Sequence, residues 1–148
     1  MPTPAGAPDW WRGFVNALPA RTAKIAVTRA DGSPLVTPVW VALDGEGDAT
    51  EVLFTTGENS GKGRALRRDP RVSLCWDDER PPFTFVTVMG TAGLIDDLQQ
   101  VRHWAGVIGG RYMGADRAEE YGTRNGAPGE LLVRVAVTRV IAVRDVAD

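Results

Sequence analysis

Alternating hydrophobic and polar positions predict a chain built mainly of β-strands. Residues 24–29 alternate and lead to Asp31-Gly32, a strong hairpin signal, before a second predicted strand at residues 35–43. The same pattern predicts further strands at residues 51–56, 72–76, 83–95 and 131–143. Because the fifth strand is too long to be flat, we expect it to bend at Gly90 or Gly93.

The last predicted strand carries the clearest alternation. Its apolar residues of one parity, interrupted only by Arg139, are Leu131, Val133, Val135, Val137, Ile141 and Val143. Successive side chains of a strand point to opposite faces, so these residues are predicted to share one face of the sheet. In the second strand, Pro38 has no backbone N–H and therefore marks an edge, a bulge or a strand end that lines a cavity.

Hydrophobic residues recur at helical spacing in four segments. They predict a short helix at residues 10–18 that ends at Pro19, a helix at residues 60–69, a longer helix from Leu98 that stops at Gly109-Gly110, and a short helix at residues 116–121. Six strands joined mostly by short turns, with helices after the third and fifth, indicate a mainly β fold. We expect a small six-stranded antiparallel barrel with α insertions.

Composition and charge limit the classes of function. The 148 residues amount to one domain: residues 1–20 are expected to form a tail, disordered over residues 1–8, with a short helix, and residues 21–148 the barrel. A net charge of -2 and a pI near 5.4 argue against a general nucleic-acid binder. No membrane-length apolar stretch or signal sequence is present, so we expect a cytoplasmic protein without a membrane partner. Single copies of Cys75 and His103 exclude an internal disulfide and a Cys-rich or His-rich metal site.

The start of the helix at residues 60–69 has the features of an anion site. Ser60 can cap the helix by accepting from backbone N–H groups that would otherwise lack partners. Lys62 and Arg64 add positive charge at the positive end of the helix dipole, and Thr55 and Thr56 offer hydroxyls from the adjoining strand end. These five residues therefore predict a phosphate site.

Two alternatives bear on this site. Arg67, Arg68 and Arg71 follow closely, and a basic helix can simply be a solvated face. The loop at residues 57–63 has one residue too few between its glycines for a Walker A loop, and no Gly-x-Gly-x-x-Gly follows a strand. Nucleoside triphosphatase and Rossmann functions are therefore disfavoured.

The same segment carries a recognisable pattern: Thr55-Thr56, Ser60-x-Lys62, Leu66, then Asp69-Pro70-Arg71-Val72, ending in Trp76. It resembles the pyridoxamine 5′-phosphate oxidase-like split barrels, whose flavin enzymes carry a Thr-Asn, Ser-Arg-Lys, Asn-Pro pattern here. Gly61 stands in place of the family arginine, and Asp69 in place of the asparagine. Three further runs look instead like the actinobacterial branch that uses the deazaflavin coenzyme F420: Thr37-Pro38-Val39-Trp40, the basic run at residues 62–72, and Arg111-Tyr112-Met113-Gly114 with Tyr121.

The resemblance implies a homodimer of split barrels, of the FMN-binding split-barrel type, with two cofactor sites at the subunit interface. Ser60, Lys62 and Arg64 would hold the cofactor phosphate, with Thr55 and Thr56 beside it. Along the tricyclic ring would lie Thr37, Pro38, Val39 and Trp40.

The function implied by the resemblance is that of an oxidoreductase that uses reduced coenzyme F420 to transfer hydride to an unsaturated or heteroaromatic small molecule. Two alternatives stay open: an FMN-dependent oxidase or reductase of the pyridoxamine 5′-phosphate oxidase type, and a non-catalytic carrier of coenzyme F420 or a flavin. The sequence identifies no catalytic residue, and the first candidates for a proton donor are Tyr112, Tyr121 and His103.

Overall fold

A computed structural model describes residues 7–148, so most of the segment predicted to be disordered, residues 1–8, lies outside the described residues. The described part of the chain forms seven strands and four α-helices. In chain order these are α1 (Trp11–Asn16), β1 (Ala23–Thr28), β2 (Pro34–Val39), β3 (Ala42–Asp44), β4 (Glu51–Gly57), α2 (Gly61–Arg68), β5 (Arg71–Asp78), β6 (Thr84–Ile95), α3 (Leu98–Met113), α4 (Ala118–Asn125) and β7 (Glu130–Val143).

The strands form one antiparallel sheet whose two edges are joined by a very short link. The strand order is β2-β1-β5-β6-β7-β4-β3. Only Trp40 and Val41 separate β2 from β3, and a link of that length spans at most about 11 Å. The edges of a flat seven-stranded sheet would lie about 29 Å apart. The sheet must therefore curl into a barrel that stays open between β2 and β3, which confirms the predicted mainly β barrel.

One hydrophobic core fills the barrel. It contains residues of strands that are far apart in the sheet order, such as Ile25 of β1 and Phe54 of β4, both fully buried. Trp11 and Val15 of α1 pack on the same core, as the helical spacing near the N-terminus predicts. Helix α2 contacts both β1 and β4 and so bridges strands on the two sides of the opening.

The second predicted strand, residues 35–43, is interrupted in the structure, so the strand count is seven rather than six. Val41 makes no ladder bond at the break: its N–H donates to the Tyr112 hydroxyl (3.1 Å), and its carbonyl accepts from Arg111 Nε (3.0 Å). The Tyr112 hydroxyl in turn donates to the carbonyl of Arg21 (2.7 Å). Two side chains of α3 therefore replace the sheet as partners of the Val41 backbone.

Replacing Tyr112 with phenylalanine is expected to lower the free energy of unfolding by about 1 to 3 kcal/mol, because the N–H of Val41 and the carbonyl of Arg21 both lose a partner. Because the variant keeps the aromatic ring, the loss of stability measures the contribution of the hydroxyl alone. Tyr121→Phe is the matched control, since the Tyr121 hydroxyl has one long contact among the described residues, 3.4 Å from Arg124. Urea denaturation measures the stability of both variants. Equal stabilities of Tyr112→Phe and the unmodified protein would show that the hydrogen bonds of the Tyr112 hydroxyl do not stabilise the fold.

The predicted shared face of the last strand is wrong beyond Val137. Val140 is buried, whereas Ile141 and Val143 are each 38% exposed. The reason is a bulge between β6 and β7: Met89 pairs with Arg139 but Gly90 pairs with Val137, so the intervening residue is extra and the inward parity changes. The bulge lies opposite Gly90, one of the two positions at which the long strand was predicted to bend.

The predicted end of the long helix at Gly109-Gly110 is also wrong, because α3 continues to Met113 and ends before Gly114. A Cβ at Gly109 would overlap the Cβ of Tyr121 on α4. The glycine therefore serves close packing of two helices rather than helix termination. Among the described residues, no helix is both long and apolar enough to span a membrane.

Candidate functional site

A cavity of about 460 Å³ lies at the open side of the barrel. Its walls come from the end of β2, the end of β4, the start of α2, the middle of α3, the end of α4 and the start of β7. The lining residues are Thr22, Pro38, Val39, Trp40, Thr55, Thr56, Gly57, Lys62, Ala105, Ile108, Asn125 and Glu130. Six of the nine residues predicted for the site therefore line one cavity; Thr37, Ser60 and Arg64 do not.

Ser60 shapes the start of α2 as its predicted N-cap. Its hydroxyl accepts from the N–H of Gly63 (3.0 Å) and donates to the carbonyl of Gly57 (2.7 Å). Since that donation uses the only hydroxyl proton of Ser60, Thr56 is the donor in the 3.1 Å contact between the two hydroxyls. Ser60 therefore fixes the loop between β4 and α2, and its oxygen is already committed to local partners.

Lys62 is the cation that this loop turns toward the cavity. Its side chain is half-buried, and Nζ lies 5.7 Å from the ring centroid of Phe54. Burial lowers the pKa of the Lys62 ammonium, and the nearby carboxylate of Glu130 opposes that shift. Within residues 7–148, Lys62 makes no side-chain hydrogen bond and no ion pair. A partly desolvated cation without a direct partner is suited to bind an anion.

The other basic residues of this region point elsewhere. Arg64 is exposed on α2 and lies outside the cavity lining. Arg67 lies 3.9 Å from Glu58, and Arg71 forms a bidentate pair with Asp69. Those hydrogen bonds hold the pKa of Asp69 at about 2. Lys62 is therefore the one basic residue, within the described part of the chain, that lines the cavity.

Trp40 forms a rigid aromatic wall of the cavity. Its ring stacks on Tyr112, with centroids 5.1 Å apart and an interplanar angle of 4°, and meets Tyr121 edge-on at 5.8 Å. Pro38 and Val39 precede it at the end of β2, which is an edge strand and tolerates the missing N–H of proline. The hydroxyl of Thr37, three residues before Trp40, is buried without a partner in residues 7–148.

Comparison with models of protein families identifies the family of this chain. A model described as pyridoxamine 5′-phosphate oxidase matches residues 11–144. The chain belongs to the pyridoxamine 5′-phosphate oxidase family. This family binds flavins such as FMN, and its split-barrel fold agrees with the open seven-stranded sheet.

Solved structures with the same fold include proteins of several descriptions. A conserved hypothetical protein of Mycobacterium tuberculosis is 23% identical, with a TM-score of 0.79 over 98% of this chain and 91% of the other. A protein described as F420 reductase is 20% identical, with a TM-score of 0.66 over 91% and 98%. HutZ, described as a heme storage protein of Vibrio cholerae, is 16% identical, with a TM-score of 0.62 over 82% and 84%. The comparison with curated proteins gives no significant match.

The candidate proton donors of this family member lie outside the cavity lining. Both hydrogen bonds of the Tyr112 hydroxyl go to backbone groups, and burial raises the pKa of its phenol. Tyr121 is buried and accepts from Arg124. His103 is exposed on α3 and packs edge-on against Trp104. Tyr112 and Tyr121 instead support the Trp40 wall.

The other six lining residues were not predicted as site residues from the sequence: Thr22, Gly57, Ala105, Ile108, Asn125 and Glu130. Glu130 pairs with Gly57 across β7 and β4, which places it beside the strand end that carries Thr55 and Thr56. A strand-pairing prediction between β4 and β7 would have found Glu130. The α3 residues carry only a helical hydrophobic repeat, which does not distinguish a cavity wall from a core.

Proposed function

We propose that this protein is an oxidoreductase that binds reduced coenzyme F420 and transfers hydride to an unsaturated or heteroaromatic small molecule. The observation that carries the proposal is Lys62, half-buried and without a direct partner in the described residues, on a cavity with an aromatic wall. The fold neighbour described as F420 reductase supports it at the level of the fold. No nucleic acid or membrane is required as a partner.

The residues present fit such a cofactor. A volume of about 460 Å³ lies within the range of cavities that hold small molecules. Lys62 and the hydroxyl of Thr55 would hold the phosphate at the positive end of α2, with Thr56 beside it as a donor to Ser60. Arg64, which is exposed near the start of α2, would hold the negatively charged tail of the cofactor.

The protein's own part in the reaction is positioning. Pro38, Val39 and Trp40 would lie against the tricyclic ring and keep water from it. Bound reduced cofactor supplies the hydride itself, so the chain needs to provide orientation and electrostatics rather than a nucleophile.

Two other functions compete. FMN dependence is favoured by the family's flavin binding, whereas Gly61, which replaces the family arginine, provides no side chain for the FMN phosphate. A non-catalytic carrier is suggested by the neighbour described as a heme storage protein.

Stopped-flow mixing of the protein and reduced coenzyme F420 with quinones, enones and tetrapyrroles tests the proposal. We expect at least one acceptor class to oxidise the cofactor faster with protein than without it. Cofactor binding without turnover on any acceptor would identify a carrier, and FMN binding without a response to coenzyme F420 would identify a flavin enzyme. Both results would overturn the proposed reaction.

We further propose that two copies associate through the outer face of the sheet, with a cofactor site at each end of the interface. Cross-strand neighbours on this face include the uncharged residues Cys75, Thr87 and Ile141, with Lys24 next to Cys75 in the same row. Pro38 pairs with Lys24 in the same row and also lines the cavity. A second copy on this face would therefore reach the cavity.

Thr87→Arg, which places a large cation in the middle of this face, is expected to reduce the apparent mass to the 15.9 kDa of one chain and to weaken cofactor binding. Thr123→Arg on the exposed side of α4 makes the same change away from the face and is the matched control. Size-exclusion chromatography with light scattering measures the mass. A dimer that survives Thr87→Arg, or that dissociates equally in the control, would contradict the interface.

A further inference from the structure

Glu130 places a negative charge on the same cavity as Lys62. It is the first residue of β7, and its Oε1 lies 3.8 Å from the position of a Cβ built on Gly57, its partner in β4. The side chain is half-buried, and within residues 7–148 its carboxylate makes no side-chain hydrogen bond and no ion pair. The carboxylate is therefore not explained by any contact that holds the fold together.

Glu130 and Lys62 influence each other without touching. Burial raises the pKa of the Glu130 carboxyl and the ammonium of Lys62 lowers it again, while the reciprocal effect acts on the pKa of Lys62. The two side chains form no ion pair in the described structure, and their charged atoms therefore lie more than 4.0 Å apart. Space for a ligand group therefore remains beside both charges.

The sum of the charges at this position is small. Lys62 contributes one positive charge, the start of α2 about half a positive charge, and Glu130 one negative charge, which leaves about half a positive charge. Arg64 adds nothing directly, since it lies outside the lining. A phosphodiester carries a single negative charge, whereas a phosphomonoester carries about 1.5 to 2 at pH 7. The site thus matches the phosphodiester better.

We propose that Glu130 is a specificity-determining residue that makes the site prefer a singly charged phosphodiester to a doubly charged phosphomonoester. The inference rests on the proposed function, because it concerns the same cavity. By this inference, the Glu130 carboxylate makes the site bind a deazaflavin cofactor, which carries a phosphodiester, in preference to FMN. Repulsion between Glu130 and the ligand phosphate is the physical cause, and it grows in proportion to the phosphate charge.

The test compares Glu130→Gln with the unmodified protein by fluorescence titration of four ligands: FMN, riboflavin, coenzyme F420 and its phosphate-free chromophore. We expect Glu130→Gln to raise the affinity for FMN about tenfold and that for coenzyme F420 about threefold, because the repulsion scales with charge. The two phosphate-free ligands should change less than about twofold. Glu58→Gln is the matched control, because it removes one negative charge next to α2 but outside the cavity lining. It should leave the ratio of the affinities for FMN and coenzyme F420 unchanged.

Two results of this fluorescence titration would overturn the inference. An equal loss of affinity for all four ligands would show that Glu130 accepts hydrogen bonds from ligand hydroxyls, and an unchanged FMN affinity would show that its charge is not felt. A protein that binds neither cofactor would refute the proposed function but not this inference. In that case dimethyl phosphate and methyl phosphate are titrated against the amide NMR signals of Gly61 and Gly63. A preference for dimethyl phosphate that Glu130→Gln removes supports the role of Glu130, and equal binding of both contradicts it.

Discussion

Lys62→Met is expected to lower the affinity for coenzyme F420 about a hundredfold. Methionine keeps an unbranched apolar side chain, one heavy atom shorter than lysine, beside Phe54 but removes the charge that would face the cofactor phosphate. Because the ammonium is partly desolvated and has no direct partner in the described residues, its removal should leave the free energy of unfolding unchanged or slightly higher. Fluorescence titration measures the affinity, and urea denaturation the stability.

Arg68→Met is the matched control for Lys62, since it removes a cation of the same helix at an exposed position away from the cavity lining. We expect a change of less than about threefold, in keeping with a screened surface charge. Equal losses in the two variants would mean that the helix attracts the ligand only through its overall charge. Full affinity in Lys62→Met would remove the basis of the proposed site.

Gly63→Ala is expected to lower the free energy of unfolding by about 2 to 3 kcal/mol and to abolish cofactor binding. A Cβ at this buried position would overlap the carbonyl oxygen of Gly57 and lie 3.2 Å from that of Glu58. Both obstacles are backbone, so the start of α2 would have to move away from the end of β4. That movement would also displace Lys62 and break the Ser60 cap.

Gly61→Ala makes the same chemical change two residues earlier and provides the comparison. A Cβ at Gly61 meets only a methyl group of Leu35, at 3.9 Å. We expect a change in stability within about 0.5 kcal/mol and unchanged cofactor affinity. Thermal unfolding and titration of both alanine variants decide the matter. Equal stabilities and equal cofactor affinities of the two variants would show that neither folding nor binding requires the close backbone approach at Gly63.

Local signals were enough to predict most of the elements. The Asp31-Gly32 turn specified the first hairpin, and Ser60 specified the start of α2, because each depends on residues within a few positions in the chain. The same holds for the resemblance, whose motifs at residues 55–72 are local. The family and the mainly β fold could therefore be predicted before the structure was known.

The wrong predictions share a dependence on distant contacts. The interruption of the second strand at Val41 requires Arg111 and Tyr112, about 70 residues later in the chain. Gly109 is helical because Tyr121 packs against it, and the parity change in β7 depends on the bulge opposite Gly90. No alternation within a single segment reveals such partners.

The residues of the candidate site also fall into those that local sequence could predict and those that it could not. Thr55, Thr56 and Lys62 were predictable because they surround one helix start, and the structure places them on one cavity. Glu130 was not, because it reaches that cavity only through the pairing of β7 with β4. A pattern of basic residues along a helix also cannot show which of them turn inward, and Arg64 illustrates this.

The most direct test of the proposed site is a crystal structure of the protein with coenzyme F420. We predict the cofactor phosphate within hydrogen-bonding distance of Lys62 Nζ and the Thr55 hydroxyl, with the ring against Pro38 and Trp40. A cofactor bound elsewhere, or a phosphate held by the exposed arginines of α2 with Lys62 left free, would contradict the account.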